Sequence, residues 1–293
     1  MVDQAHGLKN LLKRKTPPEG TPTSNNKCRV ICISSGKGGV GKTNLAVNLS
    51  LALVQQGLKV VLFDGDLGMA NVDILLGMYS KYSLKDVLYG EKALQEIVVK
   101  GPNDLMIIPG GSGISQLANL SSSQQEHFIA ELLTLEEEAD LILIDTAAGI
   151  GTSMLRFISA AHEVIVITTP EPTSITDAYS IIKLVSNYKL HSQVYLVVNR
   201  VHSKKEAINV VNRLNKVAEK YLHLKMVFLG EILEDNQVIE AVRMQEPFIL
   251  KNPHSRLSES VKSMALTLAG SSPKEEEKKG LEGFLKKMVK LLT

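Results

Sequence analysis

Between Gly36 and Thr43 the chain reads GKGGVGKT, and these eight residues satisfy the spacing G-x-x-x-x-G-K-[ST]. Gly36, Gly38, Gly39 and Gly41 leave backbone N–H groups free to close around phosphate oxygens, and a helix opening near Lys42 adds the partial positive charge of its N-terminus. Lys42 stands where a side chain bridges the β- and γ-phosphates of a nucleoside triphosphate, and Thr43 where a hydroxyl ligates Mg²⁺. An ordinary tight turn between strand and helix demands none of this spacing. Lys37, at the loop's entrance, is one lysine more than the pattern needs.

Phosphoryl chemistry also needs carboxylates at strand ends, to hold the metal and to orient water. Asp64 and Asp66 follow the apolar run VVLF, and Asp145 follows LILI. All three acids therefore emerge at the sheet edge where the phosphate loop lies. Asp145 reads as the acid that holds Mg²⁺, mostly through water. An aspartate closing a strand can merely cap the next helix, a reading that fits any one of the three better than it fits all of them.

The elements that must position these residues are legible as runs. CRVICISS, LKVVLFDGD, DLMIIPGG, ADLILIDTAAG, HEVIVITTP, QVYLVVNRV and LKMVFLGEI are apolar almost throughout rather than alternating. Such runs suit parallel strands covered on both faces. Amphipathic stretches between them predict helices over 44–56, 124–138, 174–188 and 205–220, which makes a doubly wound, mostly parallel α/β sheet with helices on both faces. The 293 residues, 44% of them apolar, suffice for one large α/β domain or two small ones. With 33 basic against 31 acidic residues no global charge points to nucleic acid. Cys28 and Cys32, four apart, fall on one face of a strand and read as packed thiols. No signal-peptide pattern opens the chain and no apolar run reaches the length of a membrane span, so a cytoplasmic protein is expected.

Two ends lie outside this body. Residues 16–27 and 270–280 are rich in Pro, Ser, Thr, Asn or charge and read as linkers, which bounds the α/β body at 28–269. In residues 281–293, Leu281, Phe284, Leu285, Met288, Leu291 and Leu292 form one apolar stripe, opposed by Lys286, Lys287 and Lys290. A basic amphipathic helix of this kind reads as an anchor on anionic membrane. The alternative is that the stripe packs on the chain's own core. A helix this short needs lipid or protein to hold it in either case.

KGGVGKTN, FDGDLGMANVDILLG, LILIDTAAGI, TTPEPTSITDAY and VVNRV together resemble the deviant Walker A ATPases of the MinD/ParA class, from about residue 29 to 265. The resemblance implies a P-loop NTPase fold and slow, homodimer-dependent hydrolysis of ATP to ADP with Mg²⁺. It assigns the nucleotide to Gly36, Lys37, Gly38, Gly39, Val40, Gly41, Lys42, Thr43 and Asn44, with Asn199 on the adenine. Lys37 becomes a signature lysine that reaches the phosphates of the partner's ATP, and Asp66 the residue that polarises the attacking water. Thr43, Asp64 and Asp145 form the metal set, and DTAAG is switch II. Asn44 stands where many relatives carry Ser or Thr, but Thr43 already supplies the metal's hydroxyl.

The first fifteen residues, MVDQAHGLKNLLKRK, place Ala5, Leu8, Leu11 and Leu12 on one side of a helix among basic neighbours. Periodicity alone leaves open whether they bind lipid or a partner. DQAHGLK is similar to the DQAxxLR motif of the FlhG family, MinD-like ATPases that control flagellar number and placement, and matches it at Asp3, Gln4, Ala5 and Leu8. Lys9 replaces the family's arginine, which removes a bidentate donor. This resemblance implies stimulation of an FlhF-type GTPase, contacts with flagellar C-ring components and peripheral membrane association in the ATP state. A MinD-type division-site regulator and a ParA-like DNA partitioner are the alternatives; the amphipathic tail favours lipid over nucleic acid.

Overall fold

The computed structural model describes residues 28–66, 71–110, 122–222, 224–271 and 280–291. Eight strands are β1 (Arg29–Ser34), β2 (Val60–Gly65), β3 (Val99–Lys100), β4 (Met106–Ile108), β5 (Leu141–Thr146), β6 (Glu163–Thr168), β7 (Gln193–Val201) and β8 (Lys225–Leu233). They form one sheet in the order β3-β4-β2-β5-β1-β6-β7-β8. Every neighbouring pair is parallel except β3 with β4. β2, β5 and β6 are buried at every position, which is why their sequences are continuous apolar runs.

The helices are α1 (Lys42–Gln55), α2 (Asn71–Leu76), α3 (Leu84–Leu88), α4 (Leu94–Ile97), α5 (Ser122–Leu133), α6 (Leu135–Glu138), α7 (Thr152–Ala160), α8 (Pro172–Asn187), α9 (Lys204–Tyr221), α10 (Asn236–Met244), α11 (Phe248–Lys251), α12 (Arg256–Gly270) and α13 (Gly280–Lys290). Side-chain alternation along β1 shows how they divide between two layers. Ile31 and Ile33 join the core beneath α1, α11 and α12, while Cys28, Val30 and Cys32 join the core on the opposite face. Both cysteines are thus free, buried and on one side, and burial pushes the Cys28 thiol up to about 12.

Three expectations change in detail. The stretch 124–138 is two helices, broken at Thr134, whose hydroxyl donates to the Glu131 carbonyl at 2.7 Å instead of leaving the backbone to continue. α8 starts two residues early because Pro172 occupies its first turn, where a missing N–H does no harm. Beyond β8 the chain adds α10, α11 and α12, which sequence periodicity does not mark; α12 packs on α1 and β8.

The terminal stripe faces inward. Leu281, Phe284, Leu285 and Met288 are buried in the same core as Val30 and Cys32, and α13 lies against α7, α5 and β1. Leu291 remains exposed and Leu292 lies outside the described residues. Polar contacts fix the start of the helix. The Glu136 carboxylate accepts the Leu281 N–H at 3.2 Å. His162, kept neutral by burial at a pKa of about 4, accepts the Val30 N–H on Nδ1 at 2.9 Å and hydrogen-bonds the Gly280 backbone. Here, then, the stripe is packed on the body and not presented as a free anchor, because its apolar side chains join the core on the Val30 and Cys32 face of the sheet. Residues 1–27, with the Asp3, Gln4, Ala5 and Leu8 segment and its linker, lie outside the described residues, as do residues 272–279 of the second linker.

Candidate active site

Three strand ends converge. β1 leads into the glycine loop, β2 ends at Asp64 and Gly65, and β5 carries Asp145; the register sets Asp145 beside both Ile33 and Asp64. From β1 the chain crosses towards β2 and from β5 towards β6, in opposite directions, the arrangement that opens a crevice at the carboxyl ends of parallel strands.

The loop's last turn requires glycine. Gly41 has φ 89°, left-handed backbone that a side chain would strain. Its carbonyl accepts the Leu45 N–H at 3.0 Å, so α1 begins directly from the loop. Lys42 then reaches back under the loop to Asp145, with Nζ 2.6 Å from Oδ1, and both side chains are buried. Burial raises the Asp145 carboxyl, while the Lys42 charge and hydrogen bond, and the Thr43 hydroxyl, pull it down.

Asp145 Oδ2 is buried without a hydrogen-bond partner among the described residues. An unfilled carboxylate oxygen next to Thr43 and Asp64 suits a hard cation, and Mg²⁺ takes few protein ligands because phosphates and water complete its shell. Among the described residues no three His, Cys, Asp or Glu side chains form a cage by themselves. Thr43, Asp145 and Asp64 therefore fit the expected metal set.

Asp64 accepts backbone N–H groups from Asp66 at 3.1 Å and Val72 at 3.5 Å. Burial still outweighs these bonds and lifts its carboxyl to about 7. The folded protein thus keeps a proton that the unfolded chain gives up near pH 4. Without ligand, stability is lost as pH rises from about 4 to 7. Asp64→Asn removes that loss, so the variant's Tm advantage over wild type grows across this window; a pH-independent difference would refute the assignment.

Asp66 is half-buried at the end of β2 and takes a long hydrogen bond, 3.5 Å, from Asn71 Nδ2 at the start of α2. Lys37 is held elsewhere. Its Nζ lies 2.5 Å from Glu171 and 3.2 Å from the Thr173 hydroxyl, at the opening of α8. The lysine's hydrogen bond and charge keep the Glu171 carboxyl below its ordinary range. α8 also presses on the loop's entrance, since a Cβ at Gly36 would fall 2.5 Å from the Asp177 Cβ. Asn199 sits on the loop itself: its Nδ2 donates to the Val40 carbonyl at 2.7 Å. Asn44 gives its carbonyl to Asn48 Nδ2 at 2.8 Å, and Asn48 Oδ1 accepts the Ile249 N–H at 3.0 Å, which ties α1 to α11.

The fold therefore brings Lys42, Thr43, Asp64 and Asp145 into one site, with Asp66 two residues beyond Asp64. It sets Lys37 aside on Glu171. Sequence reasoning alone misses Asn71, Glu171, Thr173 and Asp177. Pro172 after Glu171 is a signal that a helix opens there, facing whatever precedes it.

A ParA profile, described as NUBPL iron-transfer P-loop NTPase, matches residues 26–269. Antiactivator FleN of Pseudomonas aeruginosa is 38% identical over 262 residues, 89% of this chain and 93% of that protein. The flagellum site-determining protein YlxH of Helicobacter pylori is 35% identical over 297 aligned positions, 100% of both chains. A chain of the MinC:MinD cell division protein complex of Aquifex aeolicus superposes with a TM-score of 0.68 at 28% identity, covering 84% of this chain and 97% of that one. The septum site-determining protein MinD complexed with Mg-ADP from Pyrococcus horikoshii gives 0.66 at 27%, covering 83% and 98%. A phosphate loop with its buried Lys42–Asp145 pair, a profile match across the body and full-length likeness to YlxH lead to one conclusion: this chain is an ATPase of the MinD/ParA family and belongs to its FlhG branch.

Proposed function

We propose that the protein is a nucleotide-controlled membrane switch that regulates the placement and number of flagella. One observation carries the switch: the apolar stripe of the tail is buried against α7, the helix that follows the loop leaving Asp145. A change at the γ-phosphate that moves this loop would move the wall of the tail's groove. The flagellar role rests on likeness to FleN and YlxH.

In this reading two ATP-bound subunits pair. Lys37 leaves Glu171 for the partner's phosphates, Lys42 bridges the β- and γ-phosphates in its own subunit, and Asp66 polarises the attacking water. Bound Mg²⁺, held by Thr43 with Asp145 and Asp64, would offset charge on the phosphate oxygens. Released tails meet anionic lipid on the inner face of the plasma membrane as a pair, which raises avidity by about a hundredfold or more. Among the described residues no helix is long and apolar enough to cross a membrane. Residues 1–15 then act on an FlhF-type GTPase, and the body contacts C-ring components.

Liposome sedimentation tests the switch. Wild type should pellet with anionic vesicles in non-hydrolysable ATP and stay soluble in ADP. Glu136→Ala removes the acceptor at the start of α13 without touching the stripe, and one lost hydrogen bond of about 1 kcal/mol should raise binding in ADP roughly fivefold. Binding that ignores both nucleotide and Glu136 would end the switch reading. A separate arm adds a peptide of residues 1–15 to the GTPase; stimulation lost in Gln4→Ala supports the activator role, and no stimulation by the wild-type peptide ends it.

A further inference from the structure

Asn199 makes two hydrogen bonds that reading a base does not explain. Its Nδ2 donates to the Val40 carbonyl at 2.7 Å, and its Oδ1 accepts the Arg200 N–H at 2.9 Å. The side chain is buried, and it comes from β7, a strand 159 residues further along the chain than the loop it touches.

Local backbone is bent to deliver it. The β7–β8 register shifts between Asn199 and Val201, and Arg200 between them has φ 56°. A left-handed arginine is disfavoured, and a bulge of this kind re-aims a side chain. The Arg200 N–H, displaced from the regular ladder, is the group that Asn199 Oδ1 satisfies. On the loop side Gly41 makes room, because a Cβ there would lie 2.3 Å from Asn199 Nδ2. Bulge, amide and missing Cβ are one fitted joint between β7 and the phosphate loop.

What the joint fixes follows from the peptide bond. Carbonyl and following N–H point in opposite directions across a trans peptide, and the chain contains no cis peptide among the described residues. Holding the Val40 carbonyl on Asn199 therefore turns the Gly41 N–H the other way, off β7. Val40's side chain is buried in the core beneath α1, so this peptide is clamped on two sides. We infer that Asn199 is a positioning residue for the phosphate loop, orienting the Val40–Gly41 peptide so that the Gly41 N–H is preset for a phosphate oxygen whatever base the nucleotide carries. The inference rests on the reading of this loop as the ATP site. Among the described residues Nδ2 has Val40 alone as acceptor, so a contact with the base is a separate matter that experiment can divide from the clamp.

The test compares ATP with inorganic triphosphate, which has phosphates but no base, on the full-length protein with Mg²⁺. Asn199→Ala should weaken both ligands by the same factor, roughly five- to tenfold. Asn199→Asp keeps the acceptor for Arg200 but sets an oxygen against the Val40 carbonyl, so it should weaken both further. Hydrogen exchange on the ligand-free variants gives a second readout that a base contact would not move. Amides of residues 36–43 should exchange several-fold faster than in wild type, with β5 and β6 unchanged. Loss of ATP binding with triphosphate binding and loop exchange intact would overturn the clamp and leave a base reader. Unchanged loop exchange would overturn it even if triphosphate bound too weakly to measure. Failure of wild type to bind either ligand would instead overturn the site reading on which the clamp rests.

Discussion

Lys42→Ala should lose nucleotide binding and also destabilise the ligand-free protein by about 3–5 kcal/mol, the range for removing one partner of a buried ion pair. Both effects come from the same contact. Lys42 Nζ and Asp145 Oδ1 are 2.6 Å apart and buried at the carboxyl ends of the strands, and Asp145 Oδ2 has no hydrogen-bond partner among the described residues. Without the lysine, Asp145 either keeps an uncompensated charge or takes up a proton, which burial already favours. The double variant Lys42→Ala, Asp145→Asn separates the two effects. An amide carries no charge to strand, so most of the lost stability should return in denaturant titration while nucleotide binding stays absent. If Asp145→Asn recovers nothing, the buried pair is not what the single variant broke.

Asp66→Ala should act on turnover alone. Asp66 is half-buried and stands outside the buried Lys42–Asp145 pair. Its removal should leave fold, ATP binding and ATP-dependent pairing intact while hydrolysis falls by roughly 10²–10⁴, the span for losing a group that handles a proton in the transition state. Dimers would then persist on vesicles. Asn71→Ala, which removes the donor 3.5 Å from the Asp66 carboxylate, should give a smaller loss of turnover. Phosphate release measured with vesicles and excess ATP decides the matter, and a wild-type rate in Asp66→Ala would remove the residue from the mechanism.

The phosphate loop and the acids gathered beside it are legible in the sequence because each depends on local order: a strand, a glycine turn, and an acid at the end of an apolar run. β2 and β5 announce Asp64 and Asp145 in this way. Less legible is whatever depends on contacts across the chain. Glu171 and Thr173 matter because α8 opens beside Lys37, more than a hundred residues from it in sequence. Resemblance places Asn199 on the adenine, and only the bulge at Arg200 reveals its bond to Val40. α10 and α11 are too short, at 9 and 4 residues, for periodicity to mark them. The tail's apolar stripe is plain from the spacing of its leucines, but an amphipathic pattern is the same whether its apolar side meets lipid or a groove in the same chain.

In the proposed switch, the docked tail makes the body a competitive inhibitor of membrane binding. A ligand tethered to its site is opposed by an effective concentration, so lipid must win against α7, α5 and β1 before any partitioning occurs. Apparent membrane affinity of one subunit is divided by the docking equilibrium, and that of a paired assembly by its square. A nucleotide that weakens each dock only about threefold would change two-tailed binding roughly ninefold. Modest movement of one groove wall is then enough for a steep response, and the steepness belongs to the pairing rather than to the size of the motion.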